Sequence, residues 1–364
     1  MRDNLLPPAE GAGATHPRRP SRRRRVLAFT ALCTLVTVLA VTYTMSALAR
    51  EERADRNAPA VAVASGPGTI DEVRSQPYLA FRSTALGDTY GKLALVTSDD
   101  PAGPRTLTDL NCEVTHIAGG RGLCVWADRG VYTRYGVSIF DERFAVLNDL
   151  TLGGIPSRTR VSPDGRIGSV TVFVSGHSYA VAGFSTETTL IDLASGDKLA
   201  NLEDFTVLRD GEAIRAPDFN FWGVTFAAGG ERFYATLGTG GRTYLVEGDV
   251  RQRQVRVLRE NVECPSLSPD GRQLVFKKRT GSGLGPVVWR FHALDLATMT
   301  ERPLAEARSV DDQAAWLDDR TVAYAVPRDA RSATTDTWAV PVDGGGSPRL
   351  LVPGAYSPVR VPAP

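Results

Sequence analysis

The chain has little of what most enzymes place at a reaction centre: among 364 residues there are only 4 histidines and 4 cysteines, and lysine is scarce beside arginine. No G-x-S-x-G elbow, H-E-x-x-H pair, Walker loop or dinucleotide fingerprint occurs. Serine hydrolysis on an α/β scaffold, zinc proteolysis and nucleotide chemistry therefore have no residues to rest on. No cysteine or histidine spacing suits zinc, so neither metal nor cofactor is expected. A strong charge of one sign is missing too, the net being +1. Residues 1–25 hold seven arginines against Asp3 and Glu10, a tail of +5 that leaves the body at −4. A mildly acidic body argues against nucleic acid as a partner.

Long apolar runs are absent except for one. Residues 26–49 carry no charge, and 24 residues of helix span roughly 36 Å, enough for a ~30 Å hydrocarbon core. Arg22, Arg23, Arg24 and Arg25 precede the run, whereas Arg50, Glu51, Glu52 and Arg53 nearly cancel behind it. The positive-inside rule then places the N-terminus in the cytoplasm and the body outside, with the lipid bilayer as a partner through residues 26–49. Two alternatives stand beside this signal anchor: a signal peptide cleaved after Ala47-Leu48-Ala49, and a twin-arginine signal. Each of them also exports the body.

Export permits disulfides, and Cys112, Cys124 and Cys264 are the cysteines outside the apolar run. Cys112 and Cys124 are the expected pair, flanking a turn at Ala118-Gly119-Gly120-Arg121. Simple hairpin pairing sets Cys124 opposite Thr115, so an irregularity near Cys112 is required. Three buried thiols are the alternative.

The organisation reads as a disordered basic tail (1–25), a transmembrane helix (26–49), an extracytoplasmic stalk (50–69) and a β domain (70–364). From about Ile70, short apolar or alternating runs are punctuated by Gly, Asp, Pro and Ser every ten residues or so, an all-β pattern. One phrase occurs twice, Val161-Ser162-Pro163-Asp164-Gly165-Arg166 and Leu267-Ser268-Pro269-Asp270-Gly271-Arg272, each time leading into a strand. Proline sets φ for the turn, aspartate supplies an acceptor and glycine tolerates positive φ, so these aspartates are turn-makers first. Degenerate copies start at Ala118, Ala227, Leu317 and Ser357, and the six marks are spaced by 44, 65, 41, 49 and 40 residues. Such intervals suit four-stranded propeller blades. The long one contains Thr206–Arg209, Asp210-Gly211 and Glu212–Arg215, which reads as an inserted hairpin rather than a blade.

Ser162 to Phe173 and Ser268 to Phe276, each an S-P-D-G turn leading into an apolar strand, resemble the TolB-type propeller repeat. The resemblance implies a six-bladed β-propeller and a binding scaffold, here with a helix and stalk where TolB itself has an N-terminal α/β domain. Arginine-rich, lysine-poor composition suits a GC-rich genome such as an actinobacterium's. Strands at Tyr78, Lys92 and Arg105 leave the first blade without an inner strand, and the C-terminal segment around Ala355 is expected to supply it.

Function on a propeller is expected in the loops leading into the inner strands. There stand Asp218, Asn220 and Trp222; Asp311, Asp312 and Gln313; and Arg158 and Arg160, with His177 on another loop. Arginine holds carboxylates or phosphates, paired acids hold cations or raise each other's pKa, and aromatic residues among polar ones suit an interface. Each group has a plain alternative in core packing, a strand cap, a solvated loop or an internal Arg158–Asp312 salt bridge. The leading functional reading is a non-enzymatic envelope scaffold for a protein or cell-wall partner. Its rivals are a carbohydrate-active hydrolase or lyase using Asp218 and Asp312, and a ligand sensor.

Overall fold

A computed structural model describes residues 22–57, 61–64, 69–174, 185–281, 287–329 and 332–363. The chain divides into two units, residues 1–58 and 59–364.

The first unit holds one helix, Arg22–Asn57, longer at both ends than the expected 26–49. Its segment Arg22–Ala47 is long and apolar enough to cross a membrane and buries nothing against protein. Hydroxyls along it are satisfied within the helix, Thr30, Thr34 and Thr37 each donating to a carbonyl four residues earlier at 2.9 Å. A helix apolar all round, with its polar side chains turned back on its own backbone, suits hydrocarbon better than water.

The second unit is a β-propeller of six blades. The inner strands of blades two to six are Val114–Ala118, Ile155–Val161, Asn220–Phe226, Glu263–Leu267 and Ala315–Trp316. The first blade takes its inner strand from the other end of the chain: Ala355–Val361 pairs antiparallel with Tyr78–Ser83, Tyr78 opposite Val361. This closure is the one expected from the sequence. Strands such as Lys92–Thr97 and Gln273–Thr280 are buried through their middles, because each blade packs on a neighbour with both faces. Glycine opposite an aromatic ring recurs across strands. Gly122 faces Phe140, Gly136 faces Trp126 and Gly248 faces Phe233, and a Cβ at any of the three glycines would lie within 2.1 Å of the ring. The ring covers the strand position where glycine offers no side chain.

The S-P-D-G turns behave as their chemistry dictates. Asp270 accepts from the Ser268 hydroxyl at 2.6 Å and the Arg272 N–H at 3.0 Å, and these bonds hold it below the usual carboxylate range. Asp164 accepts from Ser162 at 2.6 Å in the same way. Five of the six marks are this turn between inner and second strand. The sixth is not: Ser357 lies inside Ala355–Val361, at φ 53. Its hydroxyl accepts from the Thr115 N–H at 3.2 Å and donates to the Thr115 carbonyl at 2.9 Å, stitching blade one to blade two.

The inserted hairpin forms as Thr206–Arg209 and Glu212–Ile214 and adds to the outer edge of blade four. The expected stalk is partly built into the propeller, since Val63–Ala64 pairs with the outer strand of blade one, Val63 opposite Arg105. Cys112 and Cys124 form a disulfide with Cα atoms 5.1 Å apart, and Cys264 is a buried thiol. Cys124 lies opposite Thr115, and Cys112 sits in the link between blades one and two.

Candidate functional site at the channel mouth

Each inner strand starts at one end of the central channel and finishes at the S-P-D-G end, and the turns joining second to third strands lie with the starts. The channel is closed halfway. Arg158, Arg160, Asp312, Gln313, Tyr356 and His116 surround a void of only about 20 Å³. A cavity of about 430 Å³ opens above this plug at the starting end, and one of about 760 Å³ opens at the turn end.

The plug is made of polar groups that cross between blades. Arg158, on the inner strand of blade three, donates to Tyr356 Oη of blade one at 3.3 Å and to the Asp311 carbonyl leading into blade six at 3.3 Å. Gln313 donates from Nε2 to the Val224 carbonyl at 3.2 Å and the Pro265 carbonyl at 2.8 Å. Arg160 approaches the Val224 carbonyl at 3.5 Å, and burial draws its pKa down to about 10. The expected Arg158–Asp312 salt bridge does not form. The carboxylate of Asp312 instead accepts from the main-chain N–H groups of Gln313 at 2.9 Å and Ala325 at 2.8 Å, and burial raises its pKa.

The 430 Å³ cavity gathers Arg158, Trp222 and Asp311 of the expected residues, and adds Lys277, Arg279, Trp289, Glu263, Glu113 and Tyr356. Lys277 is ion-paired with Asp311, with its Nζ 5.0 Å from the centre of the Trp289 ring. Burial works against the charge on Asp311, yet Lys277 and Arg158 hold its pKa below the ordinary value. Arg279 pairs with Glu263 at 3.1 Å, and Glu113 with Arg129 at 2.6 Å and Arg82 at 3.4 Å. Two donors belonging to lining residues, Arg158 Nε and Trp289 Nε1, are buried with no acceptor among the described residues.

The remaining expected residues are placed elsewhere. Asp218 accepts from Thr239 Oγ1 and from the Gly240 N–H, both at 2.7 Å, and so caps a turn of its own blade. Asn220 Oδ1 accepts from the Thr186 N–H at 2.7 Å and ties blade three to blade four. Asp312 and Gln313 are plug rather than lining. His177 lies outside the described residues. Asp218 is thus held by one side-chain and one main-chain donor and Asp312 by two main-chain donors, and neither lines the 430 Å³ cavity. Lys277, Trp289 and Arg279 went unforeseen because they sit on second and third strands; a lysine amid Leu274-Val275-Phe276 was the one signal present.

In and around the cavity mouth, the same end of the propeller carries Tyr90, Val131, Tyr132, Ile155, Phe173 and Val287, all exposed, with Val131 at 96% and Tyr132 at 84%. They stand on turns or strand ends of blades one, two, three and five.

No protein-family model matches the chain, and no curated protein matches it. Solved structures do. TolB from Acinetobacter baumannii is similar with a TM-score of 0.55 at 15% identity, over 79% of this chain and 67% of that one. A chain of a nidogen/laminin complex is similar with a TM-score of 0.52 at 11% identity, over 78% of this chain and 98% of that one. At such identities the likeness establishes the fold, a propeller of TolB type, and nothing of function.

Proposed function

We propose that the chain is a membrane-anchored, extracytoplasmic propeller that acts as a binding scaffold in the cell envelope, taking a protein partner on its channel-mouth face. The observation that carries this reading is the concentration of exposed apolar side chains at one end of the ring. Tyr90, Val131, Tyr132, Ile155, Phe173 and Val287 surround a cavity lined by Trp222 and Trp289. Apolar and aromatic groups clustered on a surface and rimmed by charge mark interaction faces. Anchoring rests on the apolar helix and on the arginines before it, which put the N-terminus in the cytoplasm.

The test is capture of identified envelope proteins by three forms of the protein: wild type, a mouth variant (Val131→Asp with Tyr132→Asp) and an outer-strand control (Val146→Asp with Leu147→Asp). A protein retained by the wild type and the control but lost from the mouth variant, with the thermal midpoint unchanged, supports the reading. Equal retention by all three rejects it. Protease added to intact spheroplasts should digest the propeller; protection would reverse the topology.

A further inference from the structure

We infer that the 430 Å³ cavity is a carboxylate-binding site, which takes a monoanionic organic acid with an apolar body. The inference rests on reading the mouth as a binding face and names the chemistry that face accepts. Among the described residues three cations line the cavity, and their partners differ. Lys277 pairs with Asp311 and Arg279 pairs with Glu263. Arg158 makes no ion pair among the described residues, and its guanidinium is held by the Ser157 carbonyl, Tyr356 Oη and the Asp311 carbonyl. It is therefore a positive charge at the cavity floor whose hydrogen bonds go to neutral acceptors, with the Asp312 and Asp311 carboxyls acting on it through space.

Two further donors of lining residues, Arg158 Nε and Trp289 Nε1, are buried with no partner among the described residues. A carboxylate accepts only, through two oxygens, and matches a planar guanidinium in charge and shape. Trp222, Trp289 and Phe173 line the cavity as well, so an apolar body there meets aromatic side chains, and the volume falls within the usual range for small-ligand sites. Glu113, Glu263 and Asp311 also line the cavity, each already paired. A dianion such as phosphate would meet these acids with a second charge that nothing balances. One carboxylate fits. It can come from a free small acid or from the C-terminus of a peptide.

The experiment is calorimetric titration of the full-length chain in detergent micelles with 3-phenylpropanoate, with 3-phenylpropanamide, and with a pentapeptide ending in Phe as free acid or as amide. At least one acid should bind tenfold or more tightly than its amide. Binding of the small acid identifies a free ligand as sufficient, and binding of the peptide acid alone identifies a chain terminus as the source. Arg158→Lys keeps the charge and loses the fork, and should weaken the acid at least tenfold while leaving the amide unchanged. Because that variant also touches the plug, a second readout uses the wild type: the Trp289 indole N–H resonance should shift on addition of the acid and not of the amide. Acid and amide binding alike, no binding by either acid, or an unmoved Trp289 signal would each overturn the inference. Loss of protein capture by the Val131/Tyr132 variant is read separately, so a mouth that holds a protein yet ignores carboxylates defeats this inference and leaves the proposed function standing.

Discussion

Nδ1 of His116, on the inner strand of blade two, accepts a hydrogen bond of 3.1 Å from the Val161 N–H at the end of the inner strand of blade three. An accepting nitrogen belongs to a neutral ring, so protonation must break this link between blades. Burial, helped by the nearby Arg160 charge, holds the His116 pKa well below its ordinary value. The unfolded chain then takes up a proton near pH 6.5 that the folded chain refuses, and stability falls as pH drops below that point. The urea midpoint should decline from pH 7 to 5, and His116→Gln should flatten the decline. An unchanged slope in the variant would show that the acid limb belongs to other groups.

Glu203 produces a dependence of opposite sign. Its carboxyl sits between blades three and four, accepting from the Thr188 N–H at 3.0 Å and the Phe221 N–H at 3.3 Å. Burial outweighs these bonds and raises its pKa to about 7. The folded state therefore binds the proton more tightly than the unfolded state, a stabilisation complete below about pH 4.3 and lost as pH rises through 7. Glu203→Gln keeps an acceptor and cannot ionise, so its gain on the wild type should grow from pH 5 to about 7 and level off towards 8. A constant gap in urea midpoints across that range would contradict the raised pKa.

How much of this was legible follows from how local each signal is. The S-P-D-G turns were readable because their hydrogen bonds lie within five residues, as Ser162 to Asp164 and to Ile167. The same locality misled at Ser357, where Ser-Pro sits on an irregular strand and the hydroxyl serves Thr115, 242 residues away. Arg158 was visible as a charge shortly before the second turn mark, and the structure sets it within the inner strand of blade three rather than in a loop. Lys277 and Trp289 reach the mouth only through the stacking of blade five, which no periodicity records, because both faces of a blade strand are buried. Asp218 looked exposed and available, yet the turn at Thr239 and Gly240 takes both its oxygens. Asp312 accepts two main-chain N–H groups in the interior, so Asp312→Ala should lower stability rather than report on binding.

The disulfide fastens the link between blades one and two. Cys112 is also held there by its own N–H to the Gly91 carbonyl at 2.9 Å and by Arg82 Nε to its carbonyl at 2.8 Å. Closing a loop of 12 residues is worth about 3 kcal/mol in the chain-entropy account. Reduction, or replacement of both cysteines by serine, should lower the unfolding free energy by about 2–3 kcal/mol while leaving the fold intact. Cys264 should react with a thiol reagent only on unfolding. Peptide mapping that finds Cys264 in a disulfide would overturn the assignment.

Arg105 locks the ring shut. It is buried in blade one, where Nη1 donates to Ser83 Oγ at 2.9 Å and to the Gly354 carbonyl at 2.8 Å, and Nη2 donates to the Pro353 carbonyl. Its guanidinium lies 5.0 Å from the centre of the Phe81 ring. Asp336 completes the latch from blade six by accepting the Gly354 N–H at 2.7 Å. The C-terminal segment is thus bonded on both sides at the point where it turns into the inner strand of blade one. Without that strand, Tyr78–Ser83 becomes an exposed edge, and the cluster that includes Leu79, Phe81, Ala355 and Val352 opens to water. Exposed edges invite association, and a terminal strand that closes a ring is structural despite its position. Deleting residues 354–364 should therefore abolish the single cooperative transition or lower its midpoint by more than 10 °C, whereas deleting residues 1–21 should leave the propeller's midpoint unmoved. Arg105→Ala, which removes charge-assisted bonds from buried acceptors, should cost about 3 kcal/mol. A protein lacking residues 354–364 that unfolds cooperatively at the full-length midpoint would defeat the closure and, with it, the count of six blades.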